Sequence, residues 1–202
     1  MTYYSQAGQD KWVHDIIGDK GFFVDIGAYD GVQTSNTYAL EQAGWRGICA
    51  EANIHASIGC QQARNCITKY QAITNYRGEI AFGHDRIGGS FLVPCDTLQG
   101  LLRGSHAPAL IDYLSMDIEG HELTVLEKFP FDEFQFKLIT IEHNLYCDGP
   151  EKKNALYELL TRNGYTRVVD NAPCLDPNPA CYMQPYEDWY ASNEFFKSRS
   201  WE

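Results

Sequence analysis

Three acids each close a short apolar run. Phe22-Phe23-Val24 leads to Asp25, Gly47-Ile48-Cys49-Ala50 to Glu51, and Ile111 to Met116 to Asp117. Runs of this kind read as buried strands of a parallel sheet, and ligands of open α/β sheets lie beyond the carboxyl ends of such strands. The first acid is followed by Gly27-Ala28-Tyr29-Asp30-Gly31, a G-x-x-x-G spacing distinct from the G-x-G-x-x-G of dinucleotide sites. Gly27 allows a tight turn and a close approach of backbone N–H groups to a ligand. An acid two residues before the first glycine of G-x-x-x-G is the spacing that holds S-adenosylmethionine. Glu51 follows Gly31 by 20 residues. At that distance an acid on the neighbouring strand accepts hydrogen bonds from both ribose hydroxyls. Asp25 is then expected to orient the turn and the methionine ammonium.

A second set of chemistry-bearing residues is Asp117, Glu119, Glu122, Glu142 and His143. If the strand ending at Asp117 lies beside the one ending at Glu142, their tips bring these groups together. Crowded carboxylates raise one another's pKa, and a neighbouring histidine is a general base. Methyl transfer to oxygen needs a base that takes the hydroxyl proton while the oxygen attacks in line. Asp117 and His143 are the candidates for that base, and Glu119 or Glu142 for orienting the acceptor. Carboxylates with one histidine also suit Mg²⁺ or Mn²⁺, yet no ligand spacing is fixed, so no metal ligand is assigned and a metal is not favoured. Glu122 reads as a first-turn acid favoured by a helix dipole. His14, His55, His84 and His106 read as ordinary polar residues.

Helices and strands must position these groups. Residues 6–17 read as a helix with Trp12, Val13, Ile16 and Ile17 on one face. Asn36 to Ala43 reads as a helix capped by Thr34 or Ser35 and stopped by Gly44. Ile54 to Ala63 is a further helix, and Ile67 to Ile73 a third strand. The alternation implies right-handed crossovers and a parallel, doubly wound sheet. From Thr74 to Pro94 the pattern loosens, with Gly88-Gly89-Ser90 as a flexible loop beside an extended Phe91-Leu92-Val93. Asp96 is expected to cap a short helix over Thr97 to Leu102. A helix runs from the Asp117–Glu122 segment toward Pro130, and Leu138 to Ile141 is a fifth strand. Glu151 to Arg162 is a helix ended by Asn163-Gly164. Tyr165 to Val169 and Ala180 to Met183 read as the last two strands, and residues 185–202 as a helix or tail.

The totals fit one domain over residues 1–202, large enough to bury a core. Acids number 27 against 16 Lys and Arg, a net charge of -11. That balance disfavours nucleic acid or an anionic membrane as the main partner, since both need a basic face. Seven cysteines without a C-x-x-C pair read as reduced, buried thiols. The first residues lack the basic and apolar regions of a leader, and no apolar run approaches the ~20 residues of a membrane span. A cytoplasmic protein is expected.

Over roughly residues 4–170 the chain resembles the FkbM family of S-adenosylmethionine-dependent methyltransferases. The resemblance rests on Phe23-Val24-Asp25-Ile26-Gly27-Ala28-Tyr29-Asp30-Gly31, on Val93-Pro94-Cys95-Asp96-Thr97-Leu98, and on Leu114-Ser115-Met116-Asp117-Ile118-Glu119-Gly120-His121-Glu122. Tyr4-Ser5-Gln6-Ala7-Gly8-Gln9-Asp10 is similar to a segment of one branch of the family, and Ser115 stands where the family often has lysine. The resemblance implies a Rossmann-like, class I methyltransferase fold: a seven-stranded, mostly parallel sheet with the last strand antiparallel and helices on both faces. It implies S-adenosylmethionine as cofactor, held around Gln6, Asp25, Gly27, Ala28, Gly31, Glu51, Ala52, Ala72 and Asp117, with residues 1–20 as a helix over the site. It further implies O-methyl transfer to a sugar, glycan or other small molecule. Two rivals stand beside it: a nicotinamide-dependent oxidoreductase, disfavoured by the missing third glycine, and a non-catalytic cofactor-binding subunit of a glycan-modifying assembly.

Overall fold

The computed structural model describes residues 1–83, 90–177 and 182–197. In chain order the elements are α1 (Gln9–Ile17), β1 (Phe22–Ile26), α2 (Tyr38–Ala43), β2 (Arg46–Glu51), α3 (Ile54–Ala63) and β3 (Ile67–Tyr70). There follow β4 (Ala72–Thr74), β5 (Gly78–Gly83), β6 (Ser90–Thr97), α4 (Leu98–Gly104), β7 (Leu110–Met116) and α5 (Glu122–Leu126). The chain continues through β8 (Gln135–Glu142), α6 (Leu145–Asp148), α7 (Pro150–Arg162), β9 (Tyr165–Pro173), β10 (Pro185–Ser192) and α8 (Asn193–Lys197).

Seven strands form one sheet in the order β3-β2-β1-β7-β8-β10-β9. The first five run parallel, and β10 pairs antiparallel with both β8 and β9. Strand order reverses between β1 and β7, so the ends of these two strands open the crevice in which such sheets bind ligands. Ile26 stands level with Ala50 on one side and Met116 on the other. The three acids therefore sit together at one sheet edge, as expected.

Side chains alternate across each strand, so the sheet separates two cores. Val24, Ile26, Ile48, Leu114 and Ile139 pack on one face with α4, α5 and α7. Phe23, Cys49, Tyr113 and Leu138 pack on the other with Val13, Leu40 and Trp45. By the same alternation Asp25 points into the second layer, beneath α2.

Several boundaries differ from the sequence reading. The expected strand over 67–73 is two: β3 borders β2, whereas β4 pairs with β6 in a separate three-stranded sheet, β4-β6-β5. The break falls at Gln71, whose N–H donates to Glu51 O at 3.0 Å and swings the chain from one sheet to the other. The stretch expected to be loose contains β5 and β6; Phe91 to Val93 is extended within β6, and Gly88 and Gly89 lie outside the described residues. Thr97, not Asp96, is the N-cap of α4, its Oγ1 accepting the Gly100 N–H at 2.9 Å. The cap of α2 is at Thr37, although Ser35 Oγ accepts the Tyr38 N–H at 3.1 Å. α1 begins at Gln9, because Gly8 holds a left-handed conformation (φ 88°) before it. α5 ends at Leu126, short of Pro130.

The final strand is Pro185–Ser192, which corrects both the strand expected at 180–183 and the helix or tail expected from 185. Of that earlier stretch, Ala180 and Cys181 lie outside the described residues, and Tyr182 makes only an isolated bridge to Cys174. α8 covers 193–197, and residues 198–202 are outside the described set. Among the described residues no helix is long and apolar enough to cross a membrane.

Candidate functional site

A cleft of about 710 Å³ opens at the strand-order reversal. Its walls come from the ends of β1, β2 and β7, from Gln71 to Ile73, and from Ile80 to Gly83 of the β5 hairpin arm. Of the residues expected at a cofactor, Gln6, Asp25, Gly27, Ala28, Glu51, Ala52, Ala72 and Asp117 line it. Gly31 does not.

The glycine turn is shaped by packing more than by ligand approach. Gly27 has φ 88°, and a Cβ there would sit 1.8 Å from Asp117 O. Only glycine lets the β1 turn pass so close to the β7 turn. The N–H groups of Gly27 and Ala28 both donate to Ala50 O, at 2.9 and 3.2 Å. The expected role of those amides toward a ligand is thus corrected: they bind β2. Asp30 closes the loop, its Oδ1 accepting the N–H groups of Val32 and Gln33 at 2.9 and 2.8 Å. Gly31 (φ 82°) packs against Arg64 and Cys60.

Glu51 stands on the opposite wall. Its Oε2 accepts the Tyr29 N–H at 2.9 Å and its Oε1 the Asn53 N–H at 2.6 Å. Burial pushes its pKa up, and these N–H donors pull it down. Each oxygen keeps a second lone pair for a hydroxyl. Two further polar atoms on the cleft walls, Asn36 Oδ1 and Gln71 Nε2, are buried without a protein partner. Buried polar groups are nearly always paired, so these two mark where a polar ligand completes the wall. The donor and acceptor set accordingly fits a nucleoside cofactor.

Beneath the turn lies a residue the sequence reading did not single out. Arg64 caps α3, and its side chain is fully buried. Its Nε donates to Glu41 Oε2 at 2.5 Å, Nη1 to Gly31 O at 3.0 Å and Ser35 Oγ at 3.3 Å, and Nη2 to Thr37 Oγ1 at 3.0 Å. Thr37 in turn donates to Asp25 Oδ2 at 2.6 Å. Burial raises the pKa of Asp25, while Thr37 and Arg64 lower it. One guanidinium thus ties the glycine turn, α2 and the first acid together, using the planar fork that arginine alone provides.

At the far end, Asp117 follows β7 and donates its backbone N–H to Ile26 O at 3.0 Å. Burial pushes its carboxyl up to about 6, against hydrogen bonds from Glu142 and Tyr186. Tyr186 donates to Asp117 Oδ2, and its hydroxyl lies 3.2 Å from Gln6 Oε1. Glu142, buried at the end of β8, is pushed up by burial first and by Asp117 second. At the adjacent tips of β7 and β8, burial thus shifts both Asp117 and Glu142 toward the protonated form. Glu119 (φ 56°) is exposed on the cleft wall. Glu122 folds back, its Oε1 accepting the N–H groups of Ile118 and Gly120 at 2.9 and 3.2 Å, which sharpens its first-turn role.

His143 is placed elsewhere. Its ring is buried with Nε2 3.3 Å from Asp188 Oδ1, and it does not line the cleft. Glu142 is likewise behind the wall. Of the amino-terminal segment, Gln6 reaches the cleft, while α1 itself packs on the second core. Asp10 accepts from Ser5 Oγ at 2.5 Å, and Gln9 is buried. Among the described residues no group of three or more His, Cys, Asp or Glu side chains is arranged to hold a metal ion.

Comparison with known proteins agrees with this layout. The chain matches several solved structures at the level of fold. One described as an O-methyltransferase from Klebsiella pneumoniae superposes with a TM-score of 0.58 at 8% identity, covering 96% of this chain and 83% of that one. The tRNA methyltransferase TrmK from B. subtilis gives 0.54 at 14% identity, with 94% and 67% covered. One described as an RNA methyltransferase from Pyrococcus horikoshii gives 0.53 at 13%, with 91% and 81% covered. No curated protein matches the sequence. Such identities establish a Rossmann-like methyltransferase fold and leave the acceptor to the site. A profile described as the methyltransferase FkbM domain matches residues 25–166, from the first acid to the start of β9. The chain belongs to the FkbM methyltransferase-domain family.

Proposed function

We propose that the chain is an S-adenosylmethionine-dependent O-methyltransferase acting on a hydroxyl of a sugar, glycan or other small molecule in the cytoplasm. The observation that carries this reading is Asp117: a carboxyl on the cleft wall, raised to about 6 and backed by Glu142 and Tyr186. It shares that cleft with Glu51, whose free lone pairs suit two ribose hydroxyls. Bound S-adenosylmethionine supplies an electrophilic methyl group. The protein's share is to hold the cofactor with Glu51, Asn36 and Gln71 and to shape its seat with Gly27, Ala28, Ala52 and Ala72. Asp117 accepts the acceptor's hydroxyl proton, and Glu119 at the surface orients the acceptor. His143, behind the wall, steadies the junction of β8 and β10 through Asp188. The acidic cleft and the net charge of -11 support a small neutral acceptor over nucleic acid.

Calorimetry on the purified chain tests the first half: micromolar S-adenosylmethionine binding is expected, weakened about tenfold or more by Glu51→Ala. Absence of binding by the wild type refutes the reading. A methyl-transfer screen over sugar nucleotides, free sugars and glycans, run with and without divalent metal, tests the second. Cofactor binding with no transfer to any acceptor would identify a binding subunit instead.

A further inference from the structure

Behind the glycine turn, three thiols converge that the methyl-transfer chemistry does not use. Cys49 lies in β2, Cys60 in α3, and Cys66 in the bend before β3. All three are free, with Cys49 and Cys60 buried and Cys66 half-buried. Cys66 Sγ is 3.5 Å from Cys49 Sγ. Cys60 Sγ is wedged under the turn, 3.0 Å from where a Cβ on Gly31 would stand. Arg64, the clamp on that turn, is two residues from Cys66.

We propose that Cys49 and Cys66 are a reversible disulfide pair, closed by hydrogen peroxide and reopened by thiol reductant, whose closure pulls Arg64 off the glycine turn. Cys66 is the thiol that peroxide reaches. Its thiolate sulfur attacks one peroxide oxygen, the O–O bond breaks, and the departing hydroxide takes up the thiol's proton as water, leaving a sulfenic acid. Cys49 sulfur then displaces the hydroxyl from Cys66 sulfur, and that group leaves as water with the Cys49 proton. Two thiols and one peroxide become one disulfide and two waters; the sulfurs lose two electrons and the peroxide gains them.

Geometry decides which side moves. A disulfide needs about 2.05 Å between sulfurs, so the pair closes by roughly 1.5 Å. Cys49 is held in the sheet between Asp25 of β1 and Thr68 of β3. Cys66 precedes β3 in a bend. The movement therefore falls on residues 64–66 and draws Arg64 from Gly31 O, Ser35 and Thr37.

The test uses the full-length chain treated with hydrogen peroxide. Peptide mapping should show a Cys49–Cys66 cross-link, lighter by two hydrogen atoms and reversed by dithiothreitol. Amide exchange over residues 31–38 should quicken in the oxidised form. Affinity for S-adenosylmethionine, which rests on the function proposed above, should fall about fivefold to thirtyfold. Cys66→Ser and, separately, Cys49→Ala should abolish all three changes. A map that joins Cys60, or leaves Cys49 reduced, overturns the pair. A Cys49–Cys66 cross-link with unchanged exchange at 31–38 overturns the link to the turn. Mass and exchange need no cofactor, so a chain that fails to bind S-adenosylmethionine refutes the function proposed above while these readouts still decide the thiol pair.

Discussion

Replacing Arg64 by methionine tests whether one buried cation holds the nucleoside end of the cleft. The methionine keeps much of the apolar stem and removes the charge and five donors. Three neutral acceptors then lose a donor: Gly31 O, Ser35 Oγ and Thr37 Oγ1. More seriously, the Glu41 carboxylate, 7% exposed, is left without its cation. Removing one partner of a buried pair costs about 3–5 kcal/mol, most of it from the stranded charge. By contrast the Lys11–Asp15 pair is more than half exposed on both sides and largely screened by solvent. Urea unfolding followed by circular dichroism should therefore show a midpoint lowered by roughly 1–2 M for Arg64→Met. Arg64→Lys should fall between, since one ammonium keeps the charge but cannot span acceptors on both sides of a planar fork. A second substitution sharpens the test. Glu41→Gln removes the stranded charge, so in the Arg64→Met background it should recover roughly 1–3 kcal/mol. Cofactor affinity should drop in Arg64→Met and stay low in the double variant, because the turn remains untied in both. A loss below ~1 kcal/mol, or additive effects of the two substitutions, would refute the clamp.

Three further outcomes follow from the site. Asp117→Asn should lower methyl transfer about 100-fold or more while leaving cofactor binding near wild type; wild-type kcat/KM should rise with pH through about 6 and then level, because the base acts deprotonated. Gly27→Ala should abolish cofactor binding and destabilise the fold by about 2 kcal/mol or more, as its Cβ would meet Asp117 O at 1.8 Å; thermal melting reads the second effect. Glu187 is raised by burial from its ordinary value near 4.5 to about 8, so the folded state holds a proton the unfolded chain has released between those values. Stability contributed by that proton is complete below about 4.5 and falls as pH rises to about 8, at up to ~1.4 kcal/mol per pH unit. Melting curves of Glu187→Gln should show that slope removed.

The sheet edge was legible because its signal is local. An apolar run ending in an acid, followed by glycine, needs only the strand period and turn chemistry to be read, and Asp25, Glu51 and Asp117 stand where that logic puts them. α3 was legible to the residue for a similar reason, from Ile54 to Ala63, and the structure adds Asn53 as its cap. Other features depend on partners remote in sequence. Arg64 reads as a solvated cation until the fold brings the carbonyl of Gly31 and the hydroxyl of Thr37 beneath α3. β10 contains the neighbouring acids Glu187 and Asp188, a pair that argues for exposure in any sequence reading. Both are buried, because Trp189 Nε1 donates to the first and Arg167 and His143 attend the second. Adjacency misled as well: Glu142 and His143 are consecutive, and alternation along an extended chain sends consecutive side chains to opposite sides. Glu142 consequently meets Asp117 while His143 meets Asp188.

The two ends of the cleft are built by opposite means, and this fits the work assigned to each. Where a nucleoside would sit, charges are neutralised and fixed: Arg64 offsets Glu41 and Asp25, and Glu51 is gripped by two backbone N–H groups. There the N–H donors on Glu51, and Thr37 and Arg64 beside Asp25, oppose the upward push of burial and fix both carboxyls in place, which suits recognition. Where a proton must move, no cation is paired with Asp117 or Glu142 among the described residues; Lys152 pairs with Glu122 at 3.5 Å. Asp117, Glu142 and Tyr186 face one another with burial as the dominant influence, and burial raises both carboxyls. A lysine or arginine placed there would hold Asp117 near its ordinary value and weaken it as a base. Ser115, level with Asp25 in the β1–β7 register, has its Oγ accepting from Asn36 Nδ2 at 2.9 Å and so belongs to the nucleoside end. Tyr186→Phe is therefore the informative exchange: it removes a donor that lowers Asp117, so the pH at which transfer begins should rise. A pH profile left unmoved by the loss of that donor would mean that Asp117 is not the base.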